Sequence, residues 1–208
     1  MRPKNGKSTQ RLINNRHKWE NFKQNLLIFF EKANVSREIS YKMCADFSKT
    51  MEMPFYDANA KEDRIKRAKE YVRLLIEYDN IEFAEDFINR STMQQEQTFR
   101  KLHPRTQKQK DRAEFFKKQG LKCVWEHPIP SKYSAKKLLS FIKSKDLTNA
   151  YKYIEYLSKI PQIALSEEDN KKVNGISNDS MPQNWNWEKD DPFIRYTLAG
   201  IDPEIYSD

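Results

Sequence analysis

Cysteine is scarce in these 208 residues: Cys44 and Cys123 are the only two. Two thiols cannot build a disulfide-stapled scaffold, and neither belongs to a Cys-x-x-Cys pair, which excludes a structural zinc site of the usual spacing. A metal held by this chain has to be held by oxygen and imidazole. Long apolar runs are missing too. Nothing approaches the roughly 18–20 consecutive apolar residues that a membrane-spanning helix needs. The basic opening "MRPKNGKSTQRLINNRHKW" also lacks the apolar stretch a signal peptide would place behind it. A cytoplasmic protein with no membrane association is the expectation. Internal repeats and low-complexity tracts are likewise absent, so a solenoid or a biased tail does not explain the sequence.

What the chain does have is positive charge. Lys and Arg number 38 against 30 Asp and Glu, a formal net charge of +8. The apolar share is 38 % and the aromatic share 12 %, polar for a globular protein yet too rich in Phe, Tyr and Trp for a disordered one. The charge is unevenly placed. Residues 1–23 carry seven bases against one acid, residues 100–122 carry nine against two, and residues 178–208 carry two against seven. Clustered cations attract a phosphate backbone through release of its condensed counterions. A basic protein with well-solvated faces has the same composition.

Four segments follow from the pattern. Residues 1–16 read as a basic flexible arm. Residues 17–90 read as a helical domain: Trp19, Phe22, Leu26 and Ala33 recur at helical spacing, "NVSREISYKMCADFSKTM" reads as a second helix, and Ile65, Ala68, Val72, Leu75 and Ile76 make a stripe that Phe83, Ala84 and Phe87 extend. Residues 91–117 are polar and basic, a linker passing into a short helix that Gly120 ends. Within and near it Arg100, Lys101, Arg105, Lys108, Lys110 and Arg112 are the candidate phosphate contacts. His17 and His103 lie in the two basic segments, where phosphate contact or plain exposure is expected.

Residues 118–208 open with the strand candidate "LKCVW". Two helices, "SAKKLLSFIKSKD" and "LTNAYKYIEYLSKI", precede a second strand, "PQIAL". The helix "SEEDNKKVNG" then starts at Ser166 as N-cap with Asp169 as its reciprocal partner, and Gly175 is expected to end it. In the acidic tail, Trp185, Trp187, Phe193 and Tyr196 are expected to pack, with Arg195 paired to a nearby acid. Cys123 is expected to be buried and unreactive. The fold class is therefore α+β, mostly α, a helical N-terminal domain followed by a small C-terminal α+β domain.

The chemistry-bearing stretch is "WEHPIP", where an apolar run breaks at Glu126-His127 and Pro130 stands three residues past the histidine. Together with "SEEDNKK" it resembles the HNH nucleases, without their zinc-binding cysteines, over roughly residues 118–176. The resemblance implies a ββα-metal arrangement and metal-dependent hydrolysis of phosphodiester bonds, with DNA favoured over RNA. On that reading His127 is the general base, and Glu126 with Asp169 or Asn170 holds a divalent cation, Mg²⁺ first. A restriction, phage or mobile-element setting goes with it, and so does a homodimer, since nucleases that cut both strands commonly pair. An imidazole titrating near neutrality suits water activation, and a hard cation suits carboxylate and amide oxygen.

Other readings stand beside it. Acids in a first helical turn serve capping and the helix dipole without any metal, and a histidine before prolines also fits a turn. The chain then reads as a non-catalytic nucleic-acid-binding regulator acting through residues 1–23 and 100–122, or as a protein-interaction adaptor using its acidic aromatic tail.

Overall fold

The computed structural model describes residues 61–93 and 99–206. The basic arm, the helices expected from Trp19 to Met51, Cys44 and His17 lie outside the described residues. Helices α1 (Lys61–Tyr78) and α2 (Ile81–Met93) are followed by a 3₁₀ turn, Arg100–Leu102, and by α3 (Gln107–Lys118). Then come β1 (Cys123–Glu126), α4 (Ser131–Lys143), α5 (Leu147–Leu157), β2 (Ile163–Ser166) and α6 (Glu167–Ile176). A long strap leads to α7 (Ile194–Leu198) and a closing 3₁₀ turn, Pro203–Ile205. The described chain is thus mostly helical with one small antiparallel sheet. Among the described residues no helix is long and apolar enough to cross a membrane.

The single helical run expected from Ile65 to Phe87 is two helices. Asp79 has φ 55°, in the left-handed region, and the Asn80 side chain accepts from the Phe83 amide at 3.0 Å, so one helix stops and another is capped within two residues. The apolar stripe survives the break because both helices face the same core. Ala68, Tyr71, Val72, Leu75, Phe83, Phe87 and Ile88 are buried in one cluster with Ile129, Leu138, Ile142, Tyr153, Ile154 and Leu157. Helices on either side of the 91–117 segment therefore share a core, with α2 against α4 and α1 against α5. The Trp185 and Trp187 rings pack onto it, Trp187 edge-on to Tyr153 at 5.2 Å and Trp185 edge-on to Tyr133 at 5.5 Å. Two of the strap's acids serve its own backbone: Asp190 accepts from the Asn186 amide and Asp191 from the Phe193 amide.

Both expected strands form, with α4 and α5 inserted between them. They pair in the register Cys123↔Ser166, Val124↔Leu165, Trp125↔Ala164 and Glu126↔Ile163. Side chains alternate across a strand, so Val124 and Glu126 face one side of the sheet and Cys123 and Trp125 the other. On the first side Ile163, Leu165, Val173, Tyr196, Ile201 and Tyr206 form a second apolar cluster beneath α6 and α7. On the other lies α3. It also closes the outer edge of β2: the Ala164 amide donates to Gln109 Oε1 at 2.9 Å, and the Ala164 carbonyl accepts from Arg112 Nε at 2.9 Å. Two side chains thus do for a two-stranded sheet what a third strand would do.

Helix α6 starts as read from the sequence. Ser166 Oγ accepts from the Asp169 amide at 3.0 Å and donates to Asp169 Oδ2 at 2.9 Å. The helix runs one residue past Gly175, which keeps an ordinary backbone angle, to Ile176. Gly120 does end α3, with φ 67°.

Candidate functional site

Where β1 ends, the chain turns through Pro128, Ile129 and Pro130, all buried, into α4. That turn and the 3₁₀ turn at Arg100–Leu102 bring together residues far apart in sequence. They line a cleft of about 670 Å³ whose walls include His103, Pro104, Trp125, His127 and Gln162. Among the described residues its charged lining is of one sign: Arg64 from α1, Arg100 and Lys101 from the turn, Arg105 from the loop and Lys110 from α3. Four of the six basic residues singled out from the sequence therefore share one concavity.

The remaining two do not line it. Lys108 is exposed on α3. Arg112, expected to contact phosphate, instead holds the Ala164 carbonyl and lies 5.0 Å over the Phe116 ring. Composition ranked it with the others because only tertiary structure reveals an unsatisfied strand edge beside it.

The floor of the cleft is a chain of hydrogen bonds whose directions fix one another. Arg105 Nε donates to Gln162 Oε1 at 2.7 Å, so the amide turns its Nε2 toward His127 Nε2, at 2.9 Å. An amide nitrogen only donates, so His127 Nε2 accepts and the ring is neutral, leaving Nδ1 to donate to the Arg100 carbonyl, its backbone partner. Gln162 is itself anchored, its amide donating to the Pro104 carbonyl at 2.8 Å. His127, expected as a general base, thus has both ring nitrogens engaged and is only 6 % exposed. To take a proton from water it needs the Gln162 amide to swing away.

His103 departs further from expectation. It is not exposed but buried, its Nδ1 donating to the Ile160 carbonyl at 3.0 Å. That leaves Nε2 as the ring's acceptor. Its ring lies edge-on to His127 with centroids 5.1 Å apart. Burial pushes the His103 pKa down to about 4, against the pull of the Ile160 carbonyl. Burial, and after it the proximity of His103 and Arg100, holds His127 well below the usual histidine range. Both rings are neutral at physiological pH. Nothing local in "KLHPRT" marked His103, because its partners lie 24 and 57 residues away.

Glu126 is on the opposite face of the sheet. Its Oε1 accepts from Arg195 Nη1 at 3.0 Å, and the same nitrogen reaches the carbonyls of His127 and Pro128, both at 3.3 Å. Arg195 is fully buried, and it pairs with an acid 69 residues away rather than with one in its own tail. Burial raises the Glu126 pKa, and the Arg195 guanidinium opposes that shift.

The ligand set expected for a cation is not gathered in one place. Glu126 lies three residues along the ladder from Cys123, the partner of Ser166, a separation of about 10 Å, and its carboxylate is taken by Arg195. Asp169 is engaged by Ser166 and Lys172. Asn170 Oδ1 is buried without a partner, but neither Glu126 nor His127 is paired with α6. Among the described residues no group of three His, Cys, Asp or Glu side chains converges.

Trp125, on the cleft face of β1, carries the Arg105 guanidinium 4.2 Å over its ring. Cys123, expected to be buried, is half-buried on the same face, and partial burial raises its pKa, so it is not activated as a thiolate. No family model, no curated protein and no solved structure matches the chain.

Proposed function

We propose that the protein binds nucleic acid, DNA before RNA, with the phosphate backbone seated in the cleft between the Arg100–Leu102 turn, α3 and the end of β1. The observation that carries this reading is the one-signed lining: Arg100, Lys101, Arg105 and Lys110 converge there and none of the described lining residues is acidic. Like charges held together in a partly enclosed space repel one another, and an anion relieves that repulsion. The Arg105 pKa is lowered by burial and next by the Arg100 guanidinium, the mark of such crowding. Phosphate contacts of this kind fix position without reading sequence.

The test is binding of labelled oligonucleotides, single- and double-stranded, across a salt series. The logarithm of the affinity should fall linearly with log salt, by a slope of about 0.7 per phosphate contacted for a single strand and about 0.9 for a duplex. Lys101→Gln and Lys110→Gln, both at exposed positions, should each flatten that slope by about one contact. Affinity indifferent to salt, or unchanged in the double variant, sinks the reading.

Phosphodiester hydrolysis at the same cleft is a second reading, favoured by two neutral histidines set among those cations. A neutral imidazole is the proton-accepting form, and His103 Nε2 is the ring nitrogen with an uncommitted lone pair. The check is plasmid and structured-RNA cleavage with Mg²⁺, with Mn²⁺ and with chelator. Cutting lost in both His103→Ala and His127→Ala, with binding retained, supports hydrolysis. Binding without cutting under any of these conditions leaves the regulator reading.

A further inference from the structure

The dimensions and charge of the cleft narrow its ligand further, on the premise that it is a nucleic-acid site. A duplex is read by a convex element entering a major groove about 12 Å wide. Here the cations line a concavity of about 670 Å³ instead. Spaces of this size enclose ligands of drug or nucleotide dimensions, so one strand fits and a duplex does not. An internal stretch short enough for the space brings about one negative charge per phosphodiester. A terminal phosphomonoester brings about −1.5 to −2 on a single phosphorus, with three acceptor oxygens. Arg100, Lys101, Arg105 and Lys110 match the terminal group better than they match a passing backbone.

The cleft also offers a surface for a base. The Arg105 guanidinium lies 4.2 Å over the Trp125 ring, and its Nε is tied to Gln162 at 2.7 Å, so the group is held in place before any ligand arrives. Guanidinium planes and aromatic rings are the surfaces on which unstacked bases rest. The base at a strand end is the one most readily unstacked. Phosphate cradle and stacking surface thus stand side by side in one partly enclosed cleft.

We propose that the cleft receives the phosphorylated end of a single nucleic-acid strand, the terminal phosphate among Arg100, Lys101 and Lys110 and the terminal base against the Arg105–Trp125 pair.

The experiment is fluorescence anisotropy with one 12-mer sequence in four forms: 5′-phosphorylated, 3′-phosphorylated, hydroxyl at both ends, and circular. Nucleoside 5′-monophosphate and inorganic phosphate serve as competitors. One phosphorylated form should bind about tenfold or more tightly than the hydroxyl and circular forms, the size of one added hydrogen bond to a charged group. Lys101→Gln should shrink that ratio, and Arg105→Lys, which keeps the charge and loses the plane, should weaken all linear forms. Equal affinity for all four forms overturns the end-binding proposal while leaving nucleic-acid binding intact. No binding by any form at 50 mM salt defeats both. Monophosphate competing as strongly as the phosphorylated strand assigns the cleft to free nucleotides and overturns the strand part.

Discussion

Acid should destabilise this protein through His103 before its carboxylates titrate, and the size of the effect follows from the geometry. His103 is buried with its one strong partner a carbonyl, and its pKa in the fold is about 4 against 6.5 for an unperturbed histidine. A group that binds its proton more weakly in the fold than in the unfolded chain contributes full stability above pH 6.5. That contribution is lost as pH falls from 6.5 toward 4. The linkage relation puts the loss from His103 at about 2 kcal/mol between pH 8 and pH 5, and at about 3 kcal/mol below pH 4. His127, also held neutral, adds in the same direction. Glu126 works oppositely, since a raised carboxyl pKa favours the fold at low pH and that contribution is lost as pH rises.

The other groups are removed by comparison with His103→Gln. Urea unfolding followed by circular dichroism at pH 8, 6.5 and 5 gives a stability difference between wild type and variant at each pH. That difference should change by about 2 kcal/mol between pH 8 and 5, with wild type losing ground as acid is added. A difference that stays constant across the three values refutes the reasoning. If the variant does not fold, the imidazole resonances of wild type carry the same information: a His103 titration midpoint near 6.5 refutes it equally.

Two further substitutions test who holds the site together. Arg195→Met strands a carboxylate that is 17 % exposed and removes the donor to the carbonyls of His127 and Pro128, so stability should drop by about 3 kcal/mol. Glu126→Gln in the same chain should recover part of it; a single variant as stable as wild type in urea would show that the pair does not support the turn. Arg112→Met should cost about 1 kcal/mol by orphaning the Ala164 carbonyl. It should leave oligonucleotide affinity within about a factor of two, whereas a loss as large as that of Lys101→Gln would return Arg112 to the binding surface.

Local signals carried the elements well. The strand expected over "LKCVW" forms at Cys123–Glu126, ending one residue beyond Trp125 because the prolines after Glu126 cannot continue a ladder, and Ser166 with Asp169 caps α6 because both donors and acceptors lie within three residues. The break at Asp79 was hidden, since a stripe of Ile65, Val72, Phe83 and Phe87 looks the same whether one helix or two face the core. Fold class followed from these local cues; the shared core across residues 91–117 did not, because periodicity says which face is apolar and not what covers it.

The site was legible only as charge. The excess of bases between 100 and 112 pointed to a surface, but which bases face the cleft depends on the edge of β2, where Arg112 and Gln109 replace a missing strand. The pair Glu126-His127 was legible as chemistry because the two are adjacent in sequence, and adjacency is misleading at the end of a strand. Consecutive residues there diverge: Glu126 goes to the α7 side and meets Arg195, while the turn carries His127 to the cleft and Gln162. The residue that shares His127's surroundings is His103, 24 positions earlier, which reads from sequence as a surface residue because its neighbours there are basic and polar while its neighbours in space are Ile160 and another imidazole. A period-2 reading of β1 already separates Glu126 from Trp125. The register of β1 against β2 likewise puts Trp125, and not Glu126, on the cleft side of the sheet.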